Sequence, residues 1–429
     1  MNGDGTSRGT SAEPLTSPVR VPPELVERRL HDLAQHGKHG ETGVWRPVYS
    51  EAWATAQDLV AAWLVEAGLD VRRDAVGNVW GRLEGSAGGP AIVTGSHIDS
   101  QLPGGRFDGA LGIIGAVVAV ATLRERCGRP RRTLEVVSFC EEEASRFPTA
   151  SFWGSRAVIG GIGPDEAAAM RDLDGRGMIE AMAAVGLDAA RIPEARRDKG
   201  DVDAFVELHI EQGPRLEAGG EPVGVVTAIT GYRQYLVELR GRSTHAGAFP
   251  MAGRRDPMAG AAEIISGVIG NALRLGPPAV TTVGRMLIEP NARAVVPARV
   301  SFTIDARHPV EAGRGALLSA HEATINEVAA RRSLDLTVRI DSDRAPCPCD
   351  QSLVATLAKA AAAVGGRPVP NLASGAVHDA QQMATLCPVA MLFVRSRDGL
   401  SHTPDEFSSL EDCVAGIETL ATALHQLAY

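Results

Sequence analysis

An α/β fold interrupted by an inserted α+β unit is predicted for this chain, and the order of its segments supports that prediction. Strand-like and helix-like stretches alternate from Ser50 to about Ile229. Between Gly231 and Ile340 the order becomes β-α-β-β-α-β, which is typical of a compact ferredoxin-like unit with its own core. A helix behind Asp350 then resumes the first pattern, so the first domain closes only after the insert.

Caps and periodicity predict the main elements of the first domain. Ser50 is a suitable N-cap for a helical pattern that ends before Gly68. Apolar runs indicate further elements of this domain, namely strands at 90–94 and 133–139 and a helix at 111–123.

The elements of the insert follow from the same signals. The alternating Tyr235, Val237 and Leu239 indicate its first strand. The patterns that follow predict a helix at 257–273 behind Asp256, a strand pair at 280–288 and 300–304, a helix at 311–331 and a last strand at 334–340.

Bulk composition excludes several classes of protein. The chain has 429 residues, 44% of them hydrophobic and 22% charged, which is ordinary for a soluble protein of two or three domains. A formal charge of -9 argues against a nucleic-acid or anionic-membrane partner, and no apolar run is long enough for a membrane span. Residues 1–22 lack a signal-peptide core, so we expect a disordered leader and a cytoplasmic protein.

Cysteines give a weaker signal. Cys347 and Cys349 form a Cys-Pro-Cys pair that would suit a soft metal or a redox role, but the sequence has no matching second pair. We interpret the other four cysteines as reduced residues in or near the core, which agrees with a cytoplasmic setting.

The segment from Thr94 to Gly112 outlines a metal site. It places His97 and Asp108 across a glycine-rich turn at a strand-to-helix junction, where open α/β sheets collect their sites. Asp99 follows closely enough for its carboxylate to accept the second ring N–H of His97. By itself this segment is also compatible with a satisfied histidine in an ordinary turn.

Three further strand ends carry candidate ligands. Glu141, Glu142 and Glu143 follow the strand at 133–139, where three adjacent carboxylates either form a solvated acidic loop or are neutralised by a cation. Two more apolar strands lead to His209 and His402. Histidines and carboxylates at four strand ends suit two divalent ions that share one bridging carboxylate.

Taken together, these motifs resemble a known family. The chain is similar to the amidase and carbamoylase branch of the dinuclear-metal aminoacylase and carboxypeptidase superfamily, which includes N-carbamoyl-L-amino-acid hydrolases, β-ureidopropionases and allantoate amidohydrolases. The resemblance covers nearly the whole chain and includes, besides the four strand ends, Tyr49-Ser50, residues 74–78, residues 241–256, Pro290-Asn291-Ala292, residues 295–297, Asp305-Ala306-Arg307, Ser374-Gly375 and His378-Asp379-Ala380.

This resemblance implies an aminopeptidase-like mixed-sheet catalytic domain at 23–230 and 341–429, with residues 231–340 as a lid and dimerisation domain. It implies two metal ions, zinc, manganese, cobalt or nickel, with Asp108 as the bridging ligand. The complete implied ligand set is His97, Asp108, Glu143, His209 and His402.

Catalytic and substrate-binding roles are implied in the same way. Glu142 would be the general base, and Glu141 would be a spare residue facing solvent. His245 would stabilise the oxyanion, typically in the partner subunit of a homodimer. The residues expected to grip a small carboxylate substrate are Gln212, Asn291 and Arg307, although Arg307 could equally be a solvated strand-end residue.

The implied reaction is cleavage of a linear C–N bond, with an N-carbamoyl-L-amino acid as the first choice of substrate. Allantoate is the nearest alternative, and N-acyl amino acids or dipeptides are related ones. A catalytically silent binding protein of the same fold is a different kind of answer, which the presence of Glu142 and of every ligand opposes.

Several positions depart from the pattern of the family. Val377 and Ala144 replace glycines, and Arg395 stands where a proline is common. Ala248 and Phe249 replace a pair of threonines. None of these changes removes a ligand or the base, but they lead us to expect a bulkier or more apolar substrate.

Overall fold

A computed structural model of the protein describes residues 17–429. The described residues form twelve α-helices: α1 (Pro23–Gln35), α2 (Glu51–Glu66), α3 (Ala110–Cys127), α4 (Trp153–Val158), α5 (Pro164–Ala169), α6 (Met178–Ala184), α7 (Arg215–Gly219), α8 (Pro257–Leu275), α9 (Glu311–Arg331), α10 (Gln351–Gly365), α11 (Asp379–Met383) and α12 (Leu410–Ala428).

The strands of the same residues are β1 (Lys38–His39), β2 (Gly43–Val44), β3 (Asp70–Arg73), β4 (Val79–Leu83), β5 (Ala91–His97), β6 (Leu134–Phe139), β7 (Val202–Ile210), β8 (Val223–Ile229), β9 (Gly231–Arg240), β10 (Thr244–His245), β11 (Val280–Thr282), β12 (Met286–Glu289), β13 (Val295–Val296), β14 (Arg299–His308), β15 (Asp335–Arg344), β16 (Cys347–Pro348), β17 (Asn371–Ser374) and β18 (Val389–Val394). No helix of the described chain is long and apolar enough to cross a membrane.

The chain divides into two compact units. The first unit contains the described residues up to Thr227 together with Cys349–Leu372 and His378–Tyr429. The second unit contains Ala228–Pro348 and Ala373–Val377, and the insert predicted at 231–340 falls inside it.

A mixed sheet forms the centre of the first unit. Its strands follow the order β8-β18-β7-β5-β6-β4-β3. The four inner strands β18, β7, β5 and β6 are parallel, whereas β8, β4 and β3 pair antiparallel with their neighbours. Every residue of β5 and β6 is buried, as expected for parallel strands covered on both faces. The carboxyl ends of four parallel strands therefore meet at one edge of the sheet.

The predicted helix caps of the first unit are confirmed. The hydroxyl of Ser50 accepts a hydrogen bond from the backbone N–H of Trp53 at the start of α2. The carboxylate of Asp350 accepts from the backbone of Ser352 and Leu353 at the start of α10. These local signals fix helix starts without help from distant residues.

The predicted leader lies mostly outside the described residues. In its described part, Val19 and Val21 are buried. The Val19 N–H donates to the Thr422 hydroxyl, and the Val21 N–H donates to the Glu418 carboxylate, so α12 binds this extended segment. Within residues 17–22, the two alternating valines are therefore buried and held against α12.

The second unit has an antiparallel sheet of its own. The strand order is β11-β14-β9-β15, and β12 also pairs with β14. The strand predicted at 280–288 is divided into β11 and β12, and both parts pair with β14. Helices α8 and α9 pack on this sheet around a core that includes Val237, Ile264 and Phe302. The order of elements is that of the predicted ferredoxin-like unit.

Candidate metal centre

Four strand ends of the first unit bring the predicted ligands together. His97 is the last residue of β5, and His209 is the last but one of β7. The three glutamates follow β6, and His402 lies in the loop after β18. Because these four strands are parallel neighbours, residues distant in sequence converge at one edge of the sheet.

One group of ligands contains His97, Asp108 and His209. The Nε2 atoms of His97 and His209 lie 3.7 and 3.2 Å from Asp108 Oδ1. The Nδ1 atom of His209 is 3.0 Å from the carbonyl oxygen of Ile210. A ring that donates Nδ1–H to a carbonyl keeps the lone pair on Nε2, which is the atom that faces the carboxylate.

The group that bonds to the second ring nitrogen of His97 differs from the prediction. The Asp99 carbonyl oxygen lies 3.2 Å from His97 Nδ1, and its carboxylate oxygen Oδ1 is farther away at 3.6 Å. The other carboxylate oxygen accepts the Glu143 N–H at 3.1 Å. Asp99 therefore orients His97 mainly through its backbone, while its side chain supports the neighbouring ligand segment.

A second group contains Asp108, Glu143 and His402. The Nε2 atom of His402 lies 3.5 Å from Asp108 Oδ2 and 3.3 Å from Glu143 Oε1. In each group the candidate ligand atoms all lie within 4.8 Å of one another. Asp108 thus turns one oxygen to each group, which is the arrangement required of a bridging carboxylate.

The charges of these residues suit a cation. Glu143 Oε1 is buried and has no hydrogen-bond partner. Burial raises the pKa of Glu143, and the nearby Asp108 raises it further. Within residues 17–429, the only ion-pair partners of Asp108, Glu142 and Glu143 are histidines. A divalent ion would supply the missing positive charge and the missing partner.

Electrostatics set Asp108 apart from the glutamates. Burial alone would raise the pKa of Asp108, but the imidazoles of His209, His402 and His97 hold it well below its usual range. Asp108 is therefore an anion that three histidines surround, as a shared ligand must be.

Glu142 and Glu143 point to different groups. Glu142 Oε2 lies 3.8 Å from His97 Nε2, whereas Glu143 faces His402. Burial raises the pKa of Glu142 well above its usual range, and the neighbouring Glu143 and Asp379 add to the increase, although His97 opposes it. A buried carboxyl group with a raised pKa beside a ligand is suited to exchange protons.

The prediction that Glu141 faces solvent was wrong. This residue is fully buried, and its Oε1 accepts the backbone N–H groups of Arg146 and Phe147 at 3.2 and 2.9 Å. Burial raises the pKa of Glu141 well above its usual range. Glu141 therefore fixes the turn that follows the two other glutamates.

Strained backbone accompanies the site. Glu141, Ala144, Gln212 and His402 have φ values of 49, 49, 57 and 58° in the left-handed region, which side chains rarely adopt. Ala144 stands where the family pattern has glycine, the residue that this conformation favours. The surrounding hydrogen bonds hold these segments in place at a cost in free energy.

Two further side chains touch the ligands of the second group. Gln212 Nε2 donates to Asp108 Oδ2 at 2.7 Å. Gln101 Nε2 donates to Glu143 Oε2 at 2.8 Å. Gln212 was predicted from the sequence, whereas Gln101 was not, since a glutamine in a loop carries no spacing signal.

A buried group beneath the ligands was also missed. Glu207, His209 and His378 have ligand-type atoms within 4.8 Å of one another. The His378 ring lies edge-on to His209, with ring centroids 4.6 Å apart. Glu207 Oε1 accepts the Ser96 hydroxyl at 2.7 Å. The signal was present, because Glu207 and His209 are two positions apart on a strand and share a face.

The remaining predicted residues belong to the second unit. His245 is exposed, and its Nδ1 accepts the N–H groups of Gly247 and Ala248 at 3.1 and 3.0 Å. Two donors at Nδ1 place the ring proton on Nε2, which leaves a donor free to bind an oxyanion.

Arg307 and Asn291 have different surroundings. Arg307 Nε and Nη2 lie 2.7 and 3.2 Å from the two carboxylate oxygens of Asp305, and Nη1 donates to the Gly375 carbonyl. Asn291 is exposed and has a left-handed φ of 56°. No hydrogen bond among the described residues joins any two of the three predicted residues of this unit. A substrate carboxylate would have to use the donors of Arg307 that Asp305 leaves free.

The other departures from the family pattern have unequal explanations. Arg395 makes two hydrogen bonds of 2.9 Å to the carboxylate of Asp412, an interaction that proline could not provide. Nothing in the structure explains Val377, Ala248 or Phe249.

Comparison with known proteins extends over nearly the whole chain. Residues 93–426 match the model of peptidase family M20/M25/M40. The chain is 42% identical over 406 residues to an N-carbamoyl-L-amino acid amidohydrolase of Geobacillus stearothermophilus, covering 94% of this chain and 98% of the relative. It is 39% identical over 398 residues to an allantoate amidohydrolase of Bacillus subtilis, covering 92% and 96%. A crystal structure of a hydantoinase/carbamoylase family amidase from Burkholderia multivorans is similar with a TM-score of 0.86 and 33% identity, covering 96% of this chain and 98% of the amidase.

Proposed function

Because the chain belongs to peptidase family M20/M25/M40, we propose that this hydrolase of linear C–N bonds acts on an N-carbamoyl-L-amino acid and releases the L-amino acid, carbon dioxide and ammonia. The observation that carries the proposal is the position of Asp108, whose two oxygens face two separate ligand groups. This arrangement fits a hydrolase that uses a pair of divalent ions.

The two ions would have different ligands around the shared Asp108. His97 and His209 would hold one ion, and Glu143 and His402 would hold the other. Zinc, manganese, cobalt and nickel all suit three histidines and two carboxylates. Bound ions would polarise the scissile carbonyl and lower the pKa of a water molecule.

Glu142 would act as the proton carrier. Its carboxylate would take a proton from the attacking water and deliver it to the leaving nitrogen. The raised pKa that burial produces suits this double task, because a carboxyl group of ordinary pKa would give up its proton too readily at neutral pH. Glu142 is also held beside His97, close to one ligand group.

Substrate contacts are proposed for four residues. Gln212, already bonded to Asp108, would contact the ureido group. Arg307 and Asn291 would bind the α-carboxylate, with Asp305 orienting the guanidinium. The Nε2–H of His245 would donate to the oxyanion, in the site of the partner subunit of a cytoplasmic homodimer.

Product release tests the proposal, with ammonia measured for the carbamoyl and ureido substrates and the free amino acid measured for the N-acyl amino acids. The metal-loaded enzyme is assayed with N-carbamoyl-L-amino acids, allantoate and N-acyl amino acids, with metal-loaded Glu142→Gln as the inactive control. The highest kcat/KM is expected for an N-carbamoyl-L-amino acid. A preference for allantoate would select the second candidate, which the similarity to allantoate amidohydrolases favours. Absence of turnover on the whole panel would refute the proposed reaction.

Subunit mixing tests the role of His245. In a dimer with shared sites, a heterodimer of His245→Ala and Glu142→Gln subunits has one site with both lesions and one site with neither. We expect activity to return after subunit exchange. If exchange is demonstrated with labelled subunits and activity stays absent, His245 acts within its own chain.

A further inference from the structure

Glu406 is a buried carboxylate whose hydrogen bonds all lead to the ligand loops. Its Oε1 accepts the backbone N–H groups of Phe107 and Asp108 at 2.8 and 2.9 Å. Its Oε2 accepts the hydroxyl of Ser401 at 2.8 Å. Only 4% of the residue is exposed, and no lysine or arginine of the described chain pairs with it. Glu406 is therefore not explained as part of a structural ion pair.

Ser401 extends these contacts to the carboxylate of Asp108. Its hydroxyl lies 2.6 Å from Asp108 Oδ2, the oxygen that faces Glu143 and His402. Glu406 thus contacts Asp108 directly at the backbone, and the side chains of Glu406 and Asp108 share the single hydroxyl proton of Ser401. The bonds join the turn after β5 to the loop after β18, which are 298 positions apart in the sequence.

Gly105 provides independent support for a close fit at this point. A Cβ atom at Gly105 would lie 2.2 Å from Glu406 Oε1 and 2.4 Å from its Cβ and Cδ. The turn that carries Asp108 therefore passes over the carboxylate at a distance that only glycine permits. The length and the position of the Glu406 side chain are both constrained by its surroundings.

From this geometry we infer that Glu406 is a positioning residue that holds Asp108 between the two ligand groups. The inference rests on the proposed metal centre. A carboxylate accepts hydrogen bonds only, so it satisfies two backbone donors and one hydroxyl at the same time. If Asp108 moved, the group of Asp108, Glu143 and His402 would lose its shared oxygen.

Substitutions of different length and charge test this role. Glu406→Gln keeps the length and one acceptor oxygen for both backbone donors, whereas Glu406→Asp keeps the charge but is too short to reach both loops. Positioning therefore predicts that Glu406→Asp is the more damaging change. A role of the negative charge alone predicts the reverse order.

The control is Asp350→Asn at the start of α10. Asp350 also accepts two backbone N–H groups and a serine hydroxyl, but it lies away from the ligands. This variant is expected to lower thermal stability and to leave metal binding unchanged. It distinguishes the general effect of losing a carboxylate that accepts backbone N–H groups from the specific effect of losing one beside the metal centre.

The measurement is titration of the chelator-stripped proteins with Mn²⁺, with the free ion followed by electron paramagnetic resonance. The parent protein is expected to bind two ions. Glu406→Asp should bind one of them about 10- to 100-fold more weakly, the usual effect of losing a residue that orients a ligand. Glu406→Gln should lose less, and Asp350→Asn should match the parent.

Several outcomes would overturn the inference. Unchanged binding of both ions by Glu406→Asp would do so, and so would a greater loss in Glu406→Gln than in Glu406→Asp. If Glu406→Asp does not fold, Ser401→Ala removes the shared hydroxyl with a smaller change and should weaken binding of the same ion. Unchanged ion binding by Ser401→Ala would then refute the role. A parent protein that binds no Mn²⁺ and stays inactive with every candidate ion would instead refute the metal centre itself.

Discussion

Replacing Gly109 by alanine should disturb the ligand His97 directly. A Cβ atom at this position would lie 2.4 to 2.5 Å from three atoms of the His97 ring, so the ring would have to retreat by about 1 Å to restore ordinary contact. Gly109 also has a φ of 61° and a ψ of -46°, a sparsely populated conformation that costs an alanine about 1 to 3 kcal/mol. Overpacking adds about 1 to 3 kcal/mol, which brings the total to about 2 to 6 kcal/mol.

Gly128 provides the matched control at the other end of the same helix. It has a φ of 74°, and a Cβ atom there would meet nothing within 4 Å. Gly128→Ala therefore carries the backbone cost without the collision. The difference between the two variants isolates the effect of displacing His97.

Urea unfolding of the chelator-stripped proteins measures the free energy of unfolding, and Mn²⁺ titration measures the affinity of the metal centre. Gly109→Ala should be about 1 to 3 kcal/mol less stable than Gly128→Ala. It should also bind an ion about 10- to 100-fold more weakly, whereas Gly128→Ala binds like the parent. Equal stability and equal metal affinity of the two variants would refute the reasoning.

Three further predictions concern other parts of the chain. Metal-loaded Glu142→Gln should keep both ions and lose about 10²- to 10⁴-fold in kcat, whereas Glu143→Gln should lose an ion. Equal metal content of the two variants by elemental analysis would contradict the assignment of Glu142 as base and Glu143 as ligand. Ala144→Gly should relieve about 1 to 2 kcal/mol of backbone strain. The greater conformational entropy of glycine in the unfolded chain offsets about 0.4 to 1 kcal/mol of this. Urea unfolding should therefore show a small net increase in stability, and a decrease would count against the assignment. Burial lowers the pKa of His321 to about 4, so this residue is neutral in the folded second unit. Its contribution to the free energy of unfolding is full above about pH 6.5 and is lost as the pH falls towards 4. The loss amounts to about 3 kcal/mol in all. His321→Gln should flatten the stability profile over that range, and an unchanged slope would refute the assignment.

Local chemistry made several features predictable. Ser50, Asp256 and Asp350 cap helices in the structure as their sequence context predicted, because a cap depends on residues within one turn. The convergence of the candidate ligands was predictable for another reason. Each candidate ligand lies at the end of an apolar strand or in the loop that follows one, and the order of the motifs along the chain resembles that of a known family.

The features that the sequence did not predict correctly also have physical explanations. Sequence alone could not show that Glu141 is buried, because its burial depends on the turn that Glu141 itself caps. It could not distinguish the carbonyl of Asp99 from its carboxylate, since both are within reach of His97. The contact of Glu406 with the backbone of Asp108 joins residues 298 positions apart, so no local sequence pattern predicts it.

The position of β18 has a consequence for how the protein is made. This strand lies between β7 and β8, and it pairs parallel with the first and antiparallel with the second. A ribosome reaches Val389 160 residues after Ile229, a delay of roughly 8 to 30 seconds at common rates of translation. During that interval most of the second unit is synthesised, while β7 and β8 each keep an edge without its final neighbour. The nascent chain therefore presents two buried-type strand edges to other chains before its own sheet can close.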